Sequence, residues 1–205
     1  MHLTQAEWEE AIGFLTRTGQ ICSGERQEFI LLSDVLGVSM LVDAINNRRP
    51  PGATENTVFG PFHVDGAPVA GAMLDVWSDN ADGFYDVQQP GLQPKWNNRG
   101  RFITGADGAY SFRGIKPVSY PIPDDGPVGQ MLARLGRHPW RPAHMHYLVT
   151  APGYQRLVTH TFVGGDDYLA SDTVFGVKDM LIAPYERLEG DVPWRSCFDF
   201  VLVPV

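Results

Sequence analysis

Two imidazoles two positions apart, in the segment Arg141-Pro142-Ala143-His144-Met145-His146, are the residues of this chain best spaced for chemistry. Side chains at alternate positions of a strand point to one face, so His144 and His146 would offer two nitrogens to a single ion if the segment is extended. Imidazole ligates iron, copper, nickel and zinc, and the pair alone does not choose among them. A hydrogen-bonded histidine pair in the core or rim of a sheet has the same spelling. Neighbouring donors must decide. No HExxH, no CxxC and no carboxylate at facial-triad spacing accompanies the pair, which weakens the zinc hydrolase and iron(II) oxygenase readings. Tyrosine is the remaining donor type, and two long connections each carry one: Tyr85 in Asp82-Gly83-Phe84-Tyr85-Asp86 and Tyr120 in Val118-Ser119-Tyr120-Pro121-Ile122-Pro123. Taken singly, a loop tyrosine is more often an amphipathic lid over the core.

Such donors need rigid elements to bring them together. Thr4-Gln5-Ala6-Glu7 spells a capping box, so a helix is expected to run on towards Arg17 and stop at Gly19. Ser23 is placed to cap a second helix over about residues 25–45, where Phe29, Leu32, Leu36 and Met40 recur at helical spacing to make one apolar stripe. Asn46-Asn47-Arg48-Arg49-Pro50-Pro51-Gly52 ends it. Beyond Pro51, short alternating runs between Gly and Pro replace the helical period. Strands are expected over residues 72–77, 101–104, 109–113, 144–150, 156–163 and 196–203, with Asp107-Gly108 turning the second back onto the third. The pattern favours a mainly β fold, a β-sandwich, over alternating β and α units. The chain divides into a helical segment, residues 1–50, and a sandwich, residues 51–205, whose longest connections, 78–100 and 116–142, are long enough to be functional loops.

With 43% apolar residues in 205, one well-filled core is expected. The formal net charge of -8 argues against nucleic acid and anionic membrane surfaces, which call for clustered Lys and Arg. No long apolar run points to membrane insertion. Small molecules are the expected partners, and an anionic one would need a local positive centre such as a metal or Arg141. Cys22 and Cys197 lie far apart in no metal-like or disulfide-dense spacing, and read as packing residues of a reduced compartment. The N-terminus has no charged region followed by an apolar run, so a cytoplasmic location is expected.

Further strings join the two tyrosine and histidine segments in a fixed order: Leu32-Ser33-Asp34-Val35-Leu36-Gly37-Val38-Ser39, Gly60-Pro61-Phe62, Arg99-Gly100-Arg101-Phe102, and Tyr168-Leu169 through Ser171-Asp172 to Phe175-Gly176-Val177. Across residues 14–184 the chain resembles the intradiol ring-cleavage dioxygenases, and within them the hydroxyquinol branch. The resemblance implies one non-haem Fe(III) per chain, held by Tyr85, Tyr120, His144 and His146, with Tyr85 and His144 equatorial and Tyr120 and His146 axial. Phenolate is a hard anionic donor suited to ferric iron, and two phenolates with a hydroxide balance its charge. The implied activity is ring opening by dioxygen between two hydroxylated carbons, hydroxyquinol giving 3-hydroxy-cis,cis-muconate or maleylacetate in aromatic catabolism. Hydroxide and Tyr120 would take the two substrate protons. Arg141 would stabilise developing negative charge, and His160 would orient the hydroxide or a substrate oxygen. The plain alternatives are a surface ion pair for Arg141 and a satisfied core group for His160.

By the same resemblance the pocket wall comprises Leu31, Asp34, Val58, Phe59, Gly60, Pro61, Phe62, Ile122, Pro123 and Val174, with Arg141 also touching substrate. Asp34 would accept a hydrogen bond from a third substrate hydroxyl, a contact able to reject an analogue that lacks it; its alternative is a surface aspartate near Arg48 or Arg49. Compared with the family, the chain has a shorter N-terminal helical region and lacks a strand between Phe62 and Trp77, which would leave a sheet edge unpaired or force a rearranged first sheet. A homodimer with phospholipid at its interface, as in relatives, is the expected assembly. Catechol or a chlorocatechol is the near alternative substrate. A non-catalytic β-sandwich binding module and a zinc hydrolase are the alternatives of other classes.

Overall fold

The computed structural model describes residues 3–46, 67–191 and 193–205. Helix α1 (Gln5–Gln20) starts on the expected capping box: the Thr4 hydroxyl accepts from the Glu7 amide, and the Glu7 carboxylate accepts from the Thr4 amide at 2.8 Å. It runs through Gly19 rather than stopping there. The expected second helix is two, α2 (Glu28–Val35) and α3 (Val38–Asn46). They are separated at Gly37, whose φ of +76° a side chain would resist and against which the Phe175 ring packs. Ser23 does not cap α2; its hydroxyl accepts from the Glu25 and Arg26 amides in the preceding turn.

The break also changes the buried face. Phe29 and Leu36 stay about half exposed, whereas Val35, with Leu31 and Leu32, packs on Ile122, Val128, Leu132 and Val174. Glu28 is wholly buried and accepts the Val128 amide at the start of α4 (Pro127–Arg134), while Arg26 neutralises it at 2.9 Å. A buried carboxylate thus ties the helical segment to the β region.

Ahead of α4 come β1 (Met73–Trp77), β2 (Arg99–Ile103) and the short β3 (Tyr120–Pro121); after it come β4 (Trp140–Arg141), β5 (His144–Thr150), β6 (Leu157–Val163) and β7 (Ile182–Ala183). The main sheet has the order β2-β1-β5-β6-β7, antiparallel except for the parallel β6 and β7 pair, and β3 pairs with β4 separately. Leu74, Val76, Met145, Tyr147 and Val149 form its core face.

Residues 109–113 and 196–203 are not ladder strands as expected. They lie across that core face as a second layer, joined by isolated bonds such as Gln155 N–H to Val203 O, and they contribute rings rather than hydrogen-bonded edges. Phe112 stacks on Phe102, with centroids 4.8 Å apart, and Phe200 packs on Tyr147. The long 116–142 connection is not loop throughout, since it holds β3, α4 and β4. Both cysteines are free, Cys22 half-buried and Cys197 exposed rather than packed. Among the described residues no helix is long and apolar enough to cross a membrane.

Candidate metal centre

Strand alternation sends Met145, Tyr147 and Val149 into the core and puts His144 and His146 together on the other face of β5. His146 is flanked in the ladder by Trp77 of β1 and His160 of β6. The Trp77 indole lies parallel to the His146 ring, with centroids 5.0 Å apart and planes 3° apart. His144 is fully buried. Its Nδ1–H donates to the Pro142 carbonyl at 2.7 Å, which leaves the Nε2 lone pair facing the site.

The two tyrosines arrive from the long connections. Asn80 shapes the first, accepting the Asp82 and Phe84 amides on its side-chain oxygen, and Asp86 anchors it to β2 through Arg99 at 2.8 Å. Gly83 has a φ of +81°, and an added Cβ would lie 3.0 Å from the Cβ of Tyr120, so the absent side chain is what lets the connections meet. Tyr120 pairs with Arg141 in the β3–β4 register. Asp166 pins both donor segments, accepting the Ser119 hydroxyl and the Ala143 amide.

Four donor atoms converge as a result. Tyr85 Oη lies 3.2 Å from Tyr120 Oη, 3.4 Å from His144 Nε2 and 3.1 Å from His146 Nε2, and Tyr120 Oη lies 3.3 Å from His144 Nε2. A first-row metal bonded at about 2 Å separates neighbouring donors by roughly 2.8–4 Å, so the cluster has the size of one shell. Among the described residues no group of three or more His, Cys, Asp or Glu side chains is placed to hold a metal. The donors that converge are two phenols and two imidazoles, and a phenol once ionised is a hard anionic donor, which suits ferric iron.

Burial, above all, depresses the imidazoles: His144 well below its ordinary value, His146 to about 3 and His160 to about 4, with neighbouring histidines or Arg141 adding to it. Burial likewise pushes the Tyr85 and Tyr120 phenols up. The rings thus offer neutral nitrogens, and the phenols resist ionisation unless a positive charge is set beside them.

Arg141 is such a charge, its Nη1 lying 3.2 Å from His144 Nε2. It is not a surface ion pair; the side chain of its partner Asp172 is 2% exposed and meets Nε at 3.2 Å. His160 lies with its ring centroid 5.7 Å from those of His144 and His146, edge-on to Phe162. Leu31, Ile122 and Val174 share one apolar cluster, and Pro123 is exposed. Asp34 accepts the Ser39 hydroxyl at 2.6 Å, and Ser39 also meets Ser33 at 2.9 Å. Val58, Phe59, Gly60, Pro61, Phe62, Arg48 and Arg49 lie outside the described residues.

Asp166, Asp172, Trp77 and Arg137 were not singled out in sequence. Arg137 donates to the Val35 and Thr173 carbonyls at 2.6 and 2.7 Å and stacks on Phe175, joining α2 to the 172–176 turn. Asp172 sits inside a string that carried the resemblance, but an aspartate in a loop reads first as a turn former.

Residues 44–204 match the family model described as Dioxygenase, and residues 1–54 match Catechol dioxygenase N terminus. The chain is 55% identical to hydroxyquinol 1,2-dioxygenase of Rhizobium sp. (strain MTP-10005), across 91% of this chain and 73% of that protein. It is 50% identical to 6-chlorohydroxyquinol 1,2-dioxygenase of Cupriavidus pinatubonensis, across 100% and 84%. That match runs over 234 positions against 205 residues here, so the relative carries residues within the matched span that this chain lacks. The crystal structure of hydroxyquinol 1,2-dioxygenase from Pseudomonas putida DLL-E4 superposes with a TM-score of 0.86 at 46% identity, covering 99% of this chain and 85% of that one.

Proposed function

The chain belongs to the intradiol ring-cleavage dioxygenases, Fe(III)-dependent oxidoreductases, and on that premise we propose that it opens hydroxyquinol with dioxygen to 3-hydroxy-cis,cis-muconate or maleylacetate. The observation that carries the proposal is the convergence of Tyr85, Tyr120, His144 and His146, with donor separations of 3.1–3.4 Å. These four would hold one iron per chain. Bound there, Fe(III) would draw electron density from a chelated diol and make its ring reactive towards dioxygen.

The protein's own groups do the rest. Pro142 fixes the His144 tautomer so that the ring's own Nε2 carries no proton into the site. Tyr120 Oη, beside the Arg141 guanidinium, takes a proton from a substrate hydroxyl, and the same guanidinium stabilises the negative charge that develops as the ring opens. His160 orients a substrate oxygen from β6. Leu31, Ile122 and Val174 exclude water from the ring, and Asp34, its carboxylate steadied by Ser39, accepts from the third hydroxyl.

We assign residues 1–50 to assembly and residues 51–205 to catalysis, in a cytoplasmic homodimer. Half-exposed apolar side chains on the helices, among them Ile30 and Leu41, support a self-association face. A cavity of about 490 Å³ between α1 and α4, walled by Ala11, Phe14 and Met131 with Arg17 and Arg134, supports binding of an amphipathic lipid.

Oxygen uptake by the iron-loaded protein, with hydroxyquinol and catechol in parallel, tests the reading. Rapid uptake with hydroxyquinol and slow uptake with catechol is expected. Turnover of catechol alone overturns the substrate, and ligand binding without uptake favours the non-catalytic module.

A further inference from the structure

The turn over residues 172–176 is built around one carboxylate. Asp172 Oδ1 accepts the Val174 amide at 3.3 Å and Oδ2 accepts the Gly176 amide at 2.9 Å, while its carbonyl accepts the Phe175 amide at 3.0 Å. Phe175 is held at a φ of +58°, a conformation that a bulky residue rarely adopts. The same two oxygens face Arg141 side-on, Oδ1 at 3.2 Å from Nε and Oδ2 at 3.5 Å from Nη2. This uses the outer edge of the fork and leaves Nη1 directed at His144 Nε2.

Gly176 closes the arrangement. An added Cβ would lie 3.0 Å from Asp172 Oδ2, 3.1 Å from Arg141 Nη2 and 3.5 Å from His160 Nε2. Carboxylate, guanidinium and imidazole therefore meet over a residue with no side chain. Its neighbour Val174 shares an apolar cluster with Ile122 and Leu31.

We propose that Asp172 is a positioning residue for ring cleavage: with Gly176 beneath it, it aims the Arg141 fork so that Nη1 faces the reacting oxygens. The proposal rests on the reading that Arg141 acts in that reaction. Without Asp172 the guanidinium keeps its interaction with the Tyr120 phenol, the neighbour of Arg141 in the β3–β4 register. A fork collapsed onto that phenol would no longer face the substrate.

Asp172→Asn puts an NH2 where one acceptor oxygen stands, opposing the guanidinium and a backbone amide at once, that of Val174 or of Gly176 according to which oxygen is replaced. Gly176→Ala displaces the pair while keeping every charge. Each is expected to lower kcat by about 10–100-fold. Iron content, and the dissociation constant for hydroxyquinol read anaerobically from the visible band, should stay within about twofold of the wild type, because aim matters in the transition state more than in the bound substrate. In an Arg141→Ala background, Asp172→Asn should cost no further kcat. A wild-type kcat for Asp172→Asn, a loss that multiplies with that of Arg141→Ala, or a fall in iron content matching the fall in kcat overturns the proposal. If Arg141→Ala itself keeps the wild-type rate, the role of the guanidinium falls and this inference with it; if Arg141→Ala is slow, failure of the other arms removes only the inference.

Discussion

His144 and Pro142 form the bond that sets the chemistry of β5: the imidazole Nδ1–H donates to the carbonyl two residues upstream at 2.7 Å, so Nε2 enters the cluster as a lone pair. His144→Ala is expected to reduce bound iron more than about tenfold and to bleach the visible phenolate-to-iron band. Metal analysis and absorption on one sample check it. Full iron retention would remove His144 from the shell.

Tyr120→Phe keeps the ring contacts with Tyr85 and His144 and removes only the hydroxyl. Turnover should fall by about 10²–10⁴, as expected for loss of a general base. The melting temperature of the metal-free protein should fall by no more than about 2–4 °C, since Tyr85 Oη keeps His144 and His146 as partners and His144 Nε2 keeps Arg141. An unchanged rate would sink the role of Tyr120 as base.

Asp34 sits where α2 breaks, and Ser39 holds its Oδ1 at 2.6 Å. Asp34→Ala should lower kcat/KM for hydroxyquinol by roughly 10–100-fold, the worth of a hydrogen bond to a charged group. Catechol, which lacks the third hydroxyl, should lose far less. Equal losses with both substrates would make Asp34 a fold residue.

Asp79, 1% exposed after the end of β1, has its carboxyl pushed up to about 7, chiefly by burial, with backbone amides acting the other way. A carboxyl raised in the fold binds more protons there than in the unfolded chain. Stability is therefore lost as pH rises from the ordinary carboxylate range through about 7 and is flat above. Asp79→Asn should raise the melting temperature more at pH 8 than at pH 5, by about 2–4 °C for each kcal/mol of relieved penalty. Equal gains at both pH values would contradict the assignment.

Ile30 and Leu41, 59% and 57% exposed on α2 and α3, make a direct test of assembly. The double substitution Ile30→Glu and Leu41→Glu should turn a dimer into a monomer in sedimentation equilibrium. An unchanged mass would place the contact elsewhere.

Local signals were legible where local physics decides. The Thr4 box starts its helix and residues 144–150 form their strand to the residue, because capping and alternation act within a turn or two. The helix break at Gly37 was not legible, since a lone glycine in an apolar stripe is tolerable until Phe175 packs against it. Nor were the second-layer segments: Tyr110 and Phe112 alternate in the same way whether their backbone joins a ladder or only leans on one. Within the site, the histidine pair was visible from spacing, but the tyrosines became donors only through resemblance to a family. Asp166 and Asp172 stayed hidden, because each acts on segments distant in sequence and only the tertiary fold brings the Ser119 hydroxyl or the Arg141 fork to it.

The parallel stacking of Trp77 on His146 gives the protein an optical gauge of its own. With iron bound at His146, an excited indole whose ring centroid lies 5.0 Å from that imidazole would pass its energy to the coloured, paramagnetic ion before it could emit. Ultraviolet emission should dim as iron is taken up and recover on chelation, with Trp77→Phe removing the largest share of the change. Occupancy can then be followed in real time and without dioxygen, even in variants that no longer turn over.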